Sequence, residues 1–215
     1  MNTIDRPKGS FSERLLVQEI THRVNNEFAS AIQIASSTAA RSSSGDVKNA
    51  LAGVIEQLHS YAKVHHALQM PTHNDPVDAS AYLGDLCRSI SCSKLKNAGI
   101  ELVFVDEPFR LPAERCWMMG MIVAELITNA IRHAFDQRGG ALRIECLVSK
   151  DFVLYRVSDN GSGRSTQTRS GSGMRIVHGL AEALGATFAF YLGETGAEAV
   201  LEVPLEPARF SGCQR

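Results

Sequence analysis

The sequence predicts two architectures in series: an N-terminal antiparallel helical hairpin, then an α/β sandwich (α+β class) with a mixed sheet and helices on one face. Three observations carry this. From Phe11 to Arg41 there is no Pro or Gly, and Leu16, Ile20, Val24, Phe28 and Ile32 recur every four residues, the apolar stripe of a long helix. Val47, Leu51, Val54, Leu58, Tyr61, His65 and Leu68 then follow alternating four- and three-residue steps, the heptad seam of helices packed lengthwise. Beyond residue 78 helical and strand-like segments mix without regular alternation, which suits helices laid on one face of a sheet better than a doubly wound fold.

Each element follows in order. Residues 1–9, with Pro7 and Gly9, read as a loose tail. The first helix starts near Ser10 or Ser12, either of which can cap it. Ser42-Ser43-Ser44-Gly45 breaks the pattern and Asp46 is the expected cap of the second helix. So short a connection folds the pair back antiparallel, giving a hairpin over 10–70. Two helices alone cannot bury both stripes, which predicts a homodimer closed as a four-helix bundle; packing of the hairpin on its own chain is the alternative. Pro71 to Val77, with Asn74, Asp75 and Pro76, reads as a linker and hinge. The second domain is expected over 78–207 and a tail over 208–215. Within it we expect helices over 78–97, from Pro112 to about Phe135, and over 173–184. Strands are expected over 100–105, 141–148, 152–158, 187–192 and 197–204.

Composition narrows the function classes. The 215 residues are 44% hydrophobic and 21% charged, with a formal net charge of −1, so nothing in the charge balance favours nucleic acid or an acidic membrane surface. The five cysteines, Cys87, Cys92, Cys116, Cys146 and Cys213, form no CxxC pair, and an odd number precludes a complete disulfide framework. Reduced thiols in a cytoplasmic protein are the simplest expectation. The N-terminus lacks an apolar signal-peptide core, and the longest apolar segment, 116–127, is broken by Glu125 and too short to span a bilayer.

Four clusters carry chemistry. In the first, Glu19-Ile20-Thr21-His22-Arg23-Val24-Asn25-Asn26, His22 lies off the Ile20/Val24 stripe, with Glu19 and Asn26 one turn before and after it. A nucleophilic imidazole needs one nitrogen free and the other held; Glu19 is the expected acceptor or base, and Asn26 can place a water. In the second, Glu125, Asn129 and Arg132 share one face of an otherwise apolar helix, and buried polar groups need a reason. A magnesium nucleotide supplies one: Asn129 offers an amide oxygen to a hard cation, Glu125 can orient a metal-bound water, and Arg132 or His133 can reach a phosphate. The third, Asp159-Asn160-Gly161-Ser162-Gly163, places a carboxylate at a strand end, ready to accept from an adenine amino group, with glycines that allow close backbone approach. The fourth, Gly171-Ser172-Gly173-Met174, opens a helix whose free N–H groups suit an anion.

In order and spacing these clusters resemble the two-component sensor histidine kinases. EITHRVNNEF resembles the phosphoacceptor box of the subfamily that reads roughly H-R-V-K-N-N, ELITNAIRHAF resembles the N box, and DNGSG and GSGMRIVHGLAEALGA resemble the two glycine boxes. The likeness runs from about Phe11 to Pro204. It implies a phosphotransfer hairpin followed by a Bergerat-type ATP-binding domain, shared with gyrase and MutL ATPases. By that resemblance His22 is the phosphoacceptor, Asn129 the Mg²⁺ ligand and Asp159 the adenine contact. Gly161 and Gly163 would shape the adenine pocket, and Gly171 and Gly173 would line the phosphates. The implied partner is the receiver domain of a response regulator, whose aspartate takes the phosphoryl group; the input is expected either from a separate sensor protein or from a longer chain of which this is the core.

Asn25 stands where that family usually has Lys, Glu27 where a second Asn is expected, and Met174 where Leu is usual. The lid segment, Arg164 to Ser170, is short and polar, which predicts a weak hold on nucleotide. Other readings remain open: a phosphotransferase that has lost ATP turnover, a non-catalytic dimeric adaptor, and a serine kinase with the same ATP fold. His59, His65, His66, His73 and His178 have no evident partner cluster, and Trp117 and Met118 to Met121 read as core.

Overall fold

The computed structural model describes residues 9–69, 71, 73–135, 139–161 and 172–205. Residues 1–8 of the tail expected over 1–9, the expected tail at 208–215 with Cys213, Gly163, the lid segment 164–170 and Gly171 lie outside the described residues, and Gly9 opens the first helix. The chain divides into two compact units, residues 1–70 and 71–215.

In the first unit, α1 (Gly9–Arg41) and α2 (Gly45–Ala67) form the hairpin. The cap of α2 is Ser44, not the expected Asp46: Ser44 Oγ accepts from Val47 N at 3.4 Å, and Asp46 falls in the first turn, where its charge suits the helix dipole. A bond between helices fixes their register, since His65 Nδ1 lies 3.1 Å from Asn25 Oδ1 and the His65 ring meets Phe28 at 6.0 Å between centroids. Among the hairpin residues whose burial is described, Ala35 is the buried one. Ile34 is 63% exposed and Val54 49%, with Ile20 and Val47 similarly open.

The second unit is a five-stranded mixed sheet carrying helices on one face. The strands are β2 (Ile100–Asp106), β4 (Gly140–Val148), β5 (Phe152–Asp159), β6 (Thr187–Gly193) and β7 (Gly196–Pro204), in the spatial order β2-β4-β5-β7-β6. Only β2 and β4 run parallel. Alternate residues of the central strands (Leu142, Ile144 and Cys146; Val153, Tyr155 and Val157; Ala199, Leu201 and Val203) are buried, as the period of two in a strand dictates. Against them lie Leu83, Leu86 and Ile90 of α3 (Ala79–Ile90), Met119, Ile122 and Ile127 of α4 (Ala113–His133), and Val177, Ala181 and Leu184 of α5 (Ser172–Leu184), all buried. The opposite face carries a ladder of ion pairs from Arg143 through Glu145 and Arg156 to Glu198.

Three details depart from the expected elements. The segment read as a linker contains β1 (Pro76–Asp78), paired antiparallel with β3 (Arg110–Pro112), and Asn74 Oδ1 there caps α4 by accepting from Glu114 N at 2.9 Å. The helix expected over 78–97 keeps α geometry only to Ile90, then widens to a π-turn over Ser91–Leu95 and tightens to a 3₁₀ turn over Lys96–Ala98. Arg115 is buried among carbonyls, donating to Leu205 O at 2.9 Å, Leu184 O at 3.3 Å and Pro204 O, and so ties the start of α4 to the end of α5 and the end of β7.

Candidate phosphoacceptor histidine and nucleotide site

On α1 the four-residue stripe turns Val24 and Phe28 toward α2 and leaves His22 and Asn26 exposed on the outer face. His22 Nδ1 lies 3.2 Å from Asn26 Nδ2, one turn further along. Glu19 is engaged elsewhere: Arg23 donates to its Oε1 at 2.8 Å. That bond and the Arg23 charge, with a smaller contribution from His22, hold the Glu19 carboxyl below its ordinary range, which weakens it as a base. The neighbour that touches the His22 ring is therefore Asn26.

In the second unit the polar face of α4 meets the start of α5. Glu125 and Asn129 are half-buried, while Arg132 and His133 are exposed on the last turn. Gly173 makes the approach possible, because a Cβ there would lie 2.6 Å from Glu125 Oε2 and 3.8 Å from Asn129 Oδ1. The Asn129 amide donates from Nδ2 to Met174 Sδ at 3.4 Å.

Asp159 ends β5, and its Oδ1 accepts from Gly161 N at 2.9 Å and from Ala197 N at 3.2 Å. Both bonds fall on Oδ1, so Oδ2 takes part in neither. The glycines beside it are dictated by space. A Cβ at Gly161 would lie 2.2 Å from Ala134 O, and one at Gly196, where φ is +137°, would lie 1.9 Å from Asp159 O; both distances are sterically forbidden. Asn160 pins the same loop to β4, its Oδ1 accepting from Ala141 N at 2.7 Å.

Sequence reasoning missed Gly196, Ala197 and the acceptor role of Met174, all supplied by segments remote in the chain. It also missed His65 as the partner of Asn25. The signal for His65 was its place on the heptad seam, where a polar residue in an apolar row implies a partner across the helix pair.

The donor set fits a magnesium nucleotide. A carboxylate and an amide oxygen both lie beside Gly173, 2.6 Å and 3.8 Å from where its Cβ would stand, at the first turn of a thirteen-residue helix. One or two protein oxygens, with phosphates and water completing the shell, is how Mg²⁺ is usually held. No group of three or more His, Cys, Asp or Glu side chains forms a metal cage among the described residues.

A five-stranded mixed sheet with helices on one face, a carboxylate at a strand end and a glycine-opened helix over an Asn-bearing helix define a nucleotide-binding domain of the histidine kinase type. Comparison with known proteins gives the family. Residues 95–195 match the histidine kinase-like ATPase domain family, and residues 19–94 match a family described as histidine kinase. The chain belongs to the histidine kinases and comprises the core of one.

Among curated proteins it is 29% identical over 217 residues to the sensor histidine kinase PdtaS of Mycobacterium tuberculosis, covering 93% of this chain and 41% of that protein. It is also 29% identical over 197 residues to blue-light-activated histidine kinase 2 of Erythrobacter litoralis, covering 87% of this chain and 56% of the relative. The chain thus spans about half or less of the length of these relatives. A 48-residue stretch, 22% of the chain, is 42% identical to part of the serine-protein kinase RsbW of Listeria monocytogenes. Among solved structures the fold matches the histidine kinase domain of an Erythrobacter litoralis blue-light activated kinase, with a TM-score of 0.58 and 21% identity over 82% of this chain and 96% of that one. Full-length ShkA in complex with AMPPNP matches with a TM-score of 0.52 and 18% identity over 90% of this chain and 46% of that one. No helix among the described residues is long and apolar enough to cross a membrane.

Proposed function

We propose that this chain autophosphorylates His22 from Mg-ATP and passes the phosphoryl group to an aspartate in the receiver domain of a response regulator. The observation that carries the reading is that Glu125 Oε2 and Asn129 Oδ1 lie together beside Gly173, in a chain that also bears an exposed histidine with an engaged ring nitrogen. ATP supplies the γ-phosphoryl group, its charge screened by the cation. Asn129 Oδ1 would hold the cation and Glu125 would orient a water on it, the cation supplying charge neutralisation; Arg132 and His133 would reach the phosphates. Asp159 Oδ2 accepts from the adenine amino group, in a pocket shaped by Gly161, with Gly173 along the phosphates.

On the hairpin, attack from Nε2 of His22 requires the ring proton on Nδ1. Asn26 holds that nitrogen. When its carboxamide presents Oδ1 it accepts the Nδ1 proton and leaves the Nε2 lone pair free; when it presents Nδ2 it favours the other tautomer. Glu19, paired with Arg23, acts through charge rather than as the base. The N–P bond forms as the bond from the γ-phosphorus to its bridging oxygen breaks, and ADP leaves. Catalysis of this kind is positioning and charge neutralisation.

The open Ile20, Ile34, Val47 and Val54 support a homodimer through the hairpin. The likeness to RsbW does not extend to a serine kinase reading, because it leaves the hairpin unaccounted for. Incubation with radiolabelled Mg-ATP tests the proposal: the wild-type chain takes up acid-labile label and Asn129→Ala does not. Equal labelling of the two would remove the nucleotide site from the account.

A further inference from the structure

We infer that Met174 is a positioning residue for the metal-binding face of Asn129, working as a hydrogen-bond acceptor rather than as packing. This rests on the reading of Asn129 as the Mg²⁺ ligand.

A carboxamide has two ends of similar shape and opposite chemistry, and only the oxygen end can bind a cation. An asparagine that must present oxygen to a metal therefore needs its NH₂ end held elsewhere. Asn129 Nδ2 meets Met174 Sδ at 3.4 Å. A thioether has lone pairs and no proton, so it can accept and cannot donate. The amide end facing it has to be the nitrogen, which leaves Oδ1 on the side of Gly173, where Glu125 Oε2 also points. The orientation is set before any ligand arrives.

The chain builds this contact on purpose-made neighbours. Met174 follows Gly173, whose missing side chain lets the first turn of α5 close onto α4. Met174 is half-buried, as are Asn129 and Glu125. An aliphatic side chain at 174 would fill the same space and leave the amide free to turn over, presenting NH₂ to the cation for part of the time. That reduces the fraction of sites competent for metal and so weakens apparent Mg²⁺ affinity. It does not touch the adenine end of the site, which Asp159, Gly161 and Ala197 form.

Calorimetric titration of ADP into the full chain, repeated over a series of Mg²⁺ concentrations, tests this. Met174→Leu is expected to raise the Mg²⁺ concentration at half-effect by about twofold, the factor that follows when the oxygen-facing orientation falls from nearly full to half occupancy. ADP affinity without Mg²⁺ stays at the wild-type value. Met174→Gln, whose side-chain carbonyl can accept in place of the sulfur, returns the midpoint toward wild type. Asn129→Ala abolishes the Mg²⁺ effect. If Asn129→Ala abolishes it while Met174→Leu titrates like wild type, Met174 is packing and the inference is overturned with the site reading intact. If Asn129→Ala keeps the wild-type Mg²⁺ dependence, the metal reading of Asn129 fails and this inference fails with it.

Discussion

Asn26 Nδ2 lies 3.2 Å from Nδ1 of His22, one helical turn away on the exposed face of α1. The contact lets a neutral side chain choose which ring nitrogen carries the proton. Asn26→Asp can only accept once ionised, so it fixes the proton on Nδ1 and frees Nε2. We expect Asn26→Asp to label from ATP about tenfold faster than Asn26→Ala, which leaves the ring tautomer unset. Initial rates of label uptake check this; an Asp variant as slow as the Ala variant would rule out the tautomer role.

At the other end of the proposed reaction, Asp159 and Gly196 separate affinity from stability. Asp159→Asn keeps an oxygen for Gly161 N and Ala197 N, so folding is retained while adenine binding falls by about tenfold or more. Gly196→Ala forces a Cβ to within 1.9 Å of Asp159 O and is expected to lower stability by about 2 kcal/mol or more, with nucleotide affinity lost alongside. Chemical denaturation and calorimetry on the two variants distinguish the effects.

Arg115 offers a test of the scaffold alone. Its guanidinium satisfies three main-chain carbonyls from the ends of α5 and β7, and burial lowers its pKa from the ordinary arginine range. Arg115→Met preserves much of the volume and leaves those carbonyls unpaired. A loss of about 2–4 kcal/mol by urea unfolding is expected, with the hairpin unaffected by circular dichroism of the isolated transition.

The thiols give a pH dependence. Burial pushes Cys87, Cys116 and Cys146 up to about 12 from an ordinary 9.0, so the folded chain keeps protons that the unfolded chain releases. Stability is full below about pH 9 and falls as pH rises toward 12, with a slope of up to about 1.4 kcal/mol per unit for each thiol. Cys92, exposed on the π-turn, is the described thiol expected to alkylate first under native conditions. Mass-spectrometric mapping after brief iodoacetamide treatment at pH 8 checks the order, and melting temperatures at pH 8 and 10 check the slope.

The long helices were legible because their apolar periods extend over many turns: Leu16 to Ile32 announced α1, and the seam from Val47 to Leu68 announced α2. What stayed hidden has a common cause. The β1–β3 pair and the Asn74 cap depend on residues about thirty-five to forty positions apart, and a short proline-bearing segment carries no period of its own. The π-turn at Ser91–Leu95 changes a hydrogen-bond step without changing composition. At the site, Glu125, Asn129 and Asp159 were visible as polar residues in apolar rows. Met174 and Ala197 were not, because one contributes a sulfur lone pair and the other a main-chain N–H, neither of which a residue type advertises.

The central claim is that His22 takes the phosphoryl group from ATP. Incubation of the wild-type chain and His22→Ala with radiolabelled Mg-ATP, followed by peptide mapping under alkaline conditions that preserve phosphohistidine, tests it most directly. The account predicts label on the peptide containing His22 in the wild type and none in the variant; label persisting on His22→Ala would contradict it.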